Sequence, residues 1–214
     1  REYPGRPLSA LPAKLAVSSI AHEGAAPVLA RPAFLYREKL TGAERGTAMH
    51  AVLQFADFAA MGRDTPAEVR RLVEQGYVEA ALADKLDEGQ LRAFLASPLC
   101  GRMLAARPLL REYAFLTAVQ AKYVQPDVPP AFENQPVLVQ GIADAVLLRG
   151  DGTAEIADYK TDRGKTPAAL VQAYRRQLQL YRAAVEKRLG VRVDKCTIYS
   201  FALGAEVDVP LEDG

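Results

Sequence analysis

At 214 residues, half of them apolar, the chain is long enough for one sizeable core or for a core with a helical appendage. Its 27 Lys and Arg stand against 26 Asp and Glu, and a net charge of +1 excludes a global electrostatic pull on nucleic acid, so any grip on a polyanion must be local. No apolar run approaches the ~20 residues of a membrane span, no signal-peptide pattern opens the chain, and two well-separated thiols, Cys100 and Cys196, are too few for a four-thiolate iron-sulfur or zinc site, so the chain reads as soluble and cytoplasmic.

Residues 1–40 carry scattered prolines (Pro4, Pro7, Pro12, Pro27, Pro32) and read as an irregular linker-like segment with one short helix near residues 17–22. The start at Arg1 without Met suggests a piece of a longer polypeptide. Helical pattern begins after Thr41, where Thr47, Ala48, Val52, Phe55 and Ala59 share an apolar face, His50 lies one position off that stripe, and Gly62 is the stop. Thr65-Pro66-Ala67-Glu68 reads as a capping box with Thr65 as N-cap, opening a helix to about Gln75. Short helices fit residues 77–85, 88–97 and 98–106, which makes residues 41–110 a helical part.

Strand-like sequence starts at Arg111 with Tyr113, Phe115 and Val119, and after a proline-rich turn a long strand fits residues 137–148. Arg149-Gly150-Asp151-Gly152 supplies a hairpin turn into a strand over residues 153–160. Thr166 caps the next helix, Pro167 opens it and Gly190 stops it, with Leu170, Tyr174, Gln177, Leu178, Tyr181 and Val185 on one face. Strands over residues 193–201 and 205–209 complete an α/β core over residues 111–214, a mixed sheet flanked by helices.

The chemistry concentrates on two of these strands. Asp144 lies in the otherwise apolar run Gly141-Ile142-Ala143-Asp144-Ala145-Val146-Leu147-Leu148, where a carboxylate is costly to bury without a cation or several donors. The hairpin predicts that Asp158 is its antiparallel neighbour, and two carboxylates that close repel unless a hard cation such as Mg²⁺ or Mn²⁺ lies between them. The backbone carbonyl of Tyr159 is a further hard oxygen. Period-two alternation puts Lys160 on the side of Asp158, where its ammonium can balance charge building on a phosphoryl oxygen; the plainer alternative is one half of a strand salt bridge. Gln177 and Tyr181, four residues apart, share a helix face on which the glutamine needs a polar partner. Taken alone, His50 is an ordinary hydrogen-bonded helical histidine and Glu112 a surface charge or a supporting carboxylate. Gly164-Lys165-Thr166 ends like a phosphate-binding loop, but the glycine that pattern requires five residues before Gly164 is Tyr159, so no ATP site is expected.

Five segments occur in an order that resembles the RecB-like nucleases of the PD-(D/E)XK superfamily, and among them the C-terminal nuclease domains of AddA-type (RexA) subunits of bacterial helicase-nucleases. They are Gly46-Thr47-Ala48-Met49-His50-Ala51-Val52-Leu53, Arg111-Glu112-Tyr113-Ala114-Phe115, Gln140-Gly141-Ile142-Ala143-Asp144, Asp158-Tyr159-Lys160-Thr161-Asp162 and Gln177-Leu178-Gln179-Leu180-Tyr181. The resemblance implies a restriction-endonuclease-like fold in which His50, Asp144, Asp158 and the Tyr159 carbonyl bind Mg²⁺, or Mn²⁺ in its place. It implies Lys160 as the catalytic lysine, Gln177 and Tyr181 beside the site positioning the DNA strand, and Glu112 as a further acidic position. It also implies upstream helicase domains in the same polypeptide, an AddB-type partner subunit that carries the iron-sulfur cluster this chain lacks, and exonucleolytic processing of single strands at double-strand breaks in a bacterial cytoplasm. The runner-up is a nuclease-like fold without catalysis that guides DNA or serves as a docking surface; a stand-alone endonuclease is a third reading.

Overall fold

The structure is a computed structural model that describes residues 14–17, 42–125 and 127–211. The short helix expected near residues 17–22 falls, from residue 18 on, outside them, as does most of the linker-like segment. Among the described residues six strands form one mixed sheet: β1 (Lys14–Ala16), β2 (Leu109–Gln120), β3 (Pro136–Leu148), β4 (Thr153–Lys160), β5 (Arg192–Ser200) and β6 (Ala205–Val209). Strand β1 is an addition to the sequence reading, because three residues are too few to show a period. The β3–β4 hairpin closes where Arg149 N–H donates to Thr153 O at 2.9 Å and Gly152 takes φ 82°, a conformation that costs glycine nothing. A long helix over Pro167–Leu189 then crosses over to bring β5 parallel to β4. Its ends are as expected: the Thr166 hydroxyl accepts from Ala169 N–H at 3.2 Å, and Gly190 stops it in the left-handed conformation.

The sheet is covered on both sides. On one lies the helical part: α1 (Gly42–Phe55), α2 (Phe58–Arg63), α3 (Thr65–Glu74), α4 (Ala80–Ala83), α5 (Glu88–Leu95) and α6 (Pro98–Ala105). Met49, Val52 and Leu53 of α1 join Phe94, Leu99 and Met103 against Ala145, Leu147, Ala157, Tyr159 and Tyr199 of the sheet. A single turn, α7 (Ala121–Val124), follows β2, and the long crossover helix is α8 (Pro167–Leu189). On the other side of the sheet Leu170, Tyr174, Leu178, Tyr181 and Val185 of α8 pack on Val139, Ala143, Val146, Ile156 and Ile198. No helix among the described residues is long and apolar enough to cross a membrane.

Local chemistry redraws the helical part. The single helix expected to Gly62 breaks after Phe55, because Asp57 turns extended and its carboxylate accepts from Ala60 N–H at 3.0 Å to start a new helix. The capping box at Thr65 is not formed. Asp64 is the N-cap, accepting from Ala67 N–H at 2.9 Å, while the Thr65 hydroxyl donates back to Met61 O and Glu68 accepts from Asp57 N–H and Arg71. The acid just upstream outcompetes the hydroxyl for the free N–H groups. Only Ala80–Ala83 of the expected helix over residues 77–85 forms, and β2 starts two residues before Arg111.

Strand β3 has three partners. Strand β2 runs along one edge for its full length, while β1 and β4 divide the other, β1 pairing as far as Gln140 and β4 from Ala145 onwards. The sheet therefore forks over residues 141–144. At the fork the side-chain alternation changes phase: Val137, Val139 and Ala143 face α8 together with Val146, whereas Ala145 and Leu147 face the helical part. The β2–β3 register is unbroken on both sides, from Leu109↔Leu147 to Gln120↔Pro136, yet the Glu112↔Asp144 pair is missing from it. Glu112 is the one described non-glycine residue with positive φ, 48°, a left-handed backbone that costs roughly 1–2 kcal/mol for a residue with a Cβ.

Behind the fork, β4 is tied to α6 by a buried ionic network. Arg102 Nε and Nη2 each meet a Glu155 carboxylate oxygen at 2.8 Å, Nη2 also reaches Glu206 at 2.7 Å, and Thr197 donates to Glu155 at 2.8 Å. Glu155 is fully buried and has Arg149 Nη2, at 3.6 Å, as a second and more distant cation, so removing Arg102 leaves its charge only partly compensated in the core. Arg102→Ala is expected to lower the unfolding free energy by about 1–3 kcal/mol in urea titration, since Arg149 and Thr197 remain on Glu155, and a loss below about 0.5 kcal/mol contradicts this role for the network.

Candidate metal centre

Three elements deliver side chains to the fork. Helix α1 carries His50, whose Nδ1 lies 3.4 Å from Asp144 Oδ1 and 3.6 Å from Glu112 Oε1. One ligand atom from each of these three residues falls within 4.8 Å of the others. Asp144 comes from β3 at the point where β4 diverges, and Glu112 from the left-handed residue of β2 opposite it. Glu112 is thus a member of the cluster and not a surface charge. Its missing cross-strand pair and its positive φ belong to the same distortion, which no sequence pattern announces.

Strand β4 supplies the rest. Its ladder with β3 ends at Ala145↔Ala157, one pair short of Asp144 and Asp158, so the two aspartates flank the opening instead of forming a regular pair. Tyr159 N–H donates to Asp144 Oδ2 at 2.6 Å, which orients that carboxylate from the neighbouring strand. Asp158 is buried, and its Oδ2 is ion-paired with Lys160 Nζ at 2.5 Å without any hydrogen-bond partner in a regular geometry. The predicted alternation of Asp158 and Lys160 onto one side holds. Tyr159 itself is buried among Phe94 and Phe201, with His50 edge-on to its ring at 5.8 Å.

Charge decides the protonation of this cluster. Burial lowers the His50 pKa, but the partnership with Asp144 and Glu112 and the charges of Asp144 and Asp158 reverse the effect and raise it to about 10. Burial likewise disfavours charged Lys160, and attraction to Asp158 and Asp144 again wins, holding its pKa above the ordinary value. Asp158 is pushed upward by burial and by Asp144, against the pull of Lys160. Asp144 and Asp158 hold positive charge on both His50 and Lys160, with Glu112 adding to the effect on His50. That is the electrostatic character of a site for a hard cation. The donor set of carboxylate oxygens with one imidazole nitrogen, and a buried carboxylate oxygen with only an ammonium beside it, both fit a divalent metal.

The helix face expected to carry Gln177 and Tyr181 adjoins the fork. Gln177 Nε2 donates to the Tyr181 hydroxyl oxygen at 2.7 Å, so the polar partner the glutamine requires is the tyrosine itself. Burial, followed by the charge of Asp158, raises the Tyr181 phenol pKa well above its ordinary value. Two supporting residues are not singled out by sequence pattern, although both lie in the five ordered segments. Arg111 Nη1 donates to the carbonyls of Ala56, Gln54 and Leu53 at 2.6, 3.2 and 3.3 Å, capping the end of α1, and its guanidinium stacks 4.1 Å over the Phe58 ring. It thereby ties the helix that carries His50 to the residue preceding Glu112. Gly141, at the base of the fork, allows Phe115 and Tyr181 to pack onto bare backbone: a Cβ there would stand 2.7 Å from Phe115 Cζ and 3.2 Å from Tyr181 Cε1.

A mixed sheet that forks at a buried aspartate, with an Asp-x-Lys strand across the opening and helices on both sides, defines a nuclease of the restriction-endonuclease-like α/β class. The chain belongs to the PD-(D/E)XK nuclease superfamily, whose family description matches residues 28–207. It is similar to the A-subunit of the ATP-dependent helicase/nuclease of Moorella thermoacetica, with 34% identity over 97% of this chain and 16% of that protein. It is also similar to the proteins of that name from Geobacillus kaustophilus (35% identity, 87% of this chain and 16% of that protein) and Pelotomaculum thermopropionicum (34%, 83% and 14%). The chain therefore spans only about one-sixth of the length of these relatives.

Gly141→Ala is expected to force the Phe115 and Tyr181 rings off the strand and to destabilise the fold by about 1–3 kcal/mol, the usual cost of overpacking a core. Thermal and urea unfolding measure it, and a variant as stable as the parent contradicts the close approach.

Proposed function

We propose that this chain is the nuclease domain of an AddA-type helicase-nuclease and acts as a Mg²⁺-dependent exonuclease on single DNA strands. The observation that carries the reading is the meeting of His50, Glu112 and Asp144, from a helix and two strands, beside the buried Asp158–Lys160 pair. In this reading His50, Asp144, Asp158 and the Tyr159 carbonyl hold Mg²⁺, or Mn²⁺ in its place, and Glu112 adds a carboxylate that orients His50 or completes the ligand set. When bound, the divalent cation supplies the charge that draws in the scissile phosphate and favours attack by water.

The chain's own groups do the remainder. Asp144 is held in place by Tyr159 N–H, so its other oxygen, the one facing His50, is presented without a search. The Lys160 ammonium orients the attacking water and offsets the charge that accumulates on the phosphoryl oxygens. Gln177 and Tyr181, bonded to each other, form a fixed wall along which the strand is positioned. The near-neutral net charge supports a division of labour in which helicase domains of the same polypeptide, powered by ATP, hold the DNA and feed one strand to this site. The residues that the 34% identical relatives have beyond this chain's span provide room for such domains. An AddB-type subunit is the proposed partner, and processing of double-strand breaks for recombinational repair in the bacterial cytoplasm the proposed setting.

Asp158→Ala and Lys160→Ala are each expected to reduce Mg²⁺-stimulated hydrolysis of linear single-stranded DNA by about 10³-fold or more, with circular dichroism unchanged. Undiminished cleavage by both variants overturns the assignment, and equal cleavage of closed circular single strands overturns the exonuclease reading. In calorimetric titration Asp144→Ala is expected to weaken Mn²⁺ binding by more than about tenfold, since loss of even an outer-shell partner of a metal ligand costs about 10–100-fold; unchanged affinity removes the proposed centre.

A further inference from the structure

Lys160 is gripped from a second direction. Besides its 2.5 Å ion pair with Asp158, its Nζ lies 4.4 Å from the centroid of the Tyr174 ring. Tyr174 belongs to α8, one turn before Gln177, and sequence pattern alone makes it only a member of the apolar stripe. Its ring is locked at the far end: the phenol donates to Asp162 Oδ2 at 2.8 Å, and Asp162 Oδ1 pairs with Lys165 Nζ at 2.9 Å. Lys165 Nζ also reaches the phenol oxygen at 3.4 Å and lies 4.7 Å from the ring centroid. The segment that follows the Asp-x-Lys strand thus folds back to fix the orientation of one aromatic ring, and that ring meets the one ammonium the proposed chemistry requires.

The physical need is evident from the lysine side chain. It is a point charge on a flexible four-carbon stem, and an ion pair to a single carboxylate fixes its distance but not its direction. Asp158 is moreover shared, since its charge is the one the proposed metal would draw on. A ring face attracts an ammonium through its quadrupole, carries no net charge, and does not compete for the cation. Two attractors of different kinds define where the ammonium stands.

We propose that Tyr174 is a positioning residue that sets Lys160 for the reaction through its ring face, with Asp162 and Lys165 orienting the ring; the proposal rests on the nuclease reading of the site. The test uses the full chain with Tyr174→Phe, which keeps the ring, and Tyr174→Leu, which removes it. Tyr174→Leu is expected to lower kcat by about 10–100-fold, as misplacement of a reacting group does, while KM and Mn²⁺ affinity stay within about twofold. Tyr174→Phe is expected to restore kcat to within about threefold of the parent, because the ring face remains. A leucine variant at the parental rate overturns the proposal, and so does a phenylalanine variant as slow as the leucine one. A second measurement is independent of turnover: the ε-methylene protons of Lys160 should resonate upfield in the parent and in Tyr174→Phe, shielded by the ring, and return to ordinary positions in Tyr174→Leu. Unshifted resonances in the parent overturn the proposal, whereas shifted resonances in a parent that cleaves no DNA overturn the nuclease reading instead.

Discussion

Mutual repulsion among acids at one point of a sheet is the constraint around which this molecule is organised. Glu112 and Asp144 meet where β4 parts from β3, with Asp158 across the opening, and like charges this near one another, two of them buried, are tolerable only with compensating positive charge. In the structure that charge is the imidazolium of His50 and the ammonium of Lys160, both held protonated by the acids. A site that keeps positive charge on both bases is prepared to exchange part of it for a divalent ion.

Much of the surrounding architecture serves to keep the acids together. Arg111 pins the end of α1 to β2 and so fixes the distance from His50 to Glu112. The left-handed turn at Glu112 and the phase change of β3 swing two carboxylates towards the helical part while the strands on either side remain in register. Gly141 lets Phe115 and Tyr181 close over the base of the fork, and Tyr181 in turn holds Gln177. Arg102 fastens β4 to α6 from the opposite end through Glu155. None of these contacts is chemical in the reaction proposed, yet each fixes an element that bears a reactive group.

What can be read in the sequence follows from the range of the interactions concerned. The β3–β4 hairpin and the ends of α8 depend on neighbours within a few residues, and Gly152, Thr166 and Gly190 announce them. The pairing of Asp158 with Lys160 on one side follows from period two alone. His50 is different: nothing on its own helix distinguishes it from a core histidine, and only family resemblance connects it to the acids, since the contact joins residues far apart in the chain. The break at Asp57 and the use of Asp64 in place of Thr65 are hidden from local pattern because two side chains compete for the same N–H groups, and pattern does not rank the contenders. The conformation of Glu112 and the need for glycine at position 141 arise from tertiary packing and leave no periodic trace. Strand β1 is too short to show one.

The most direct test of this account is a crystal of the chain soaked in Mn²⁺ and measured at the manganese absorption edge. The account predicts an anomalous peak at the fork of the sheet, with His50, Asp144 and Asp158 all within about 2.5 Å of the ion. A protein whose fork shows no peak at saturating Mn²⁺, or in which the His50 ring stands away from both aspartates, contradicts it.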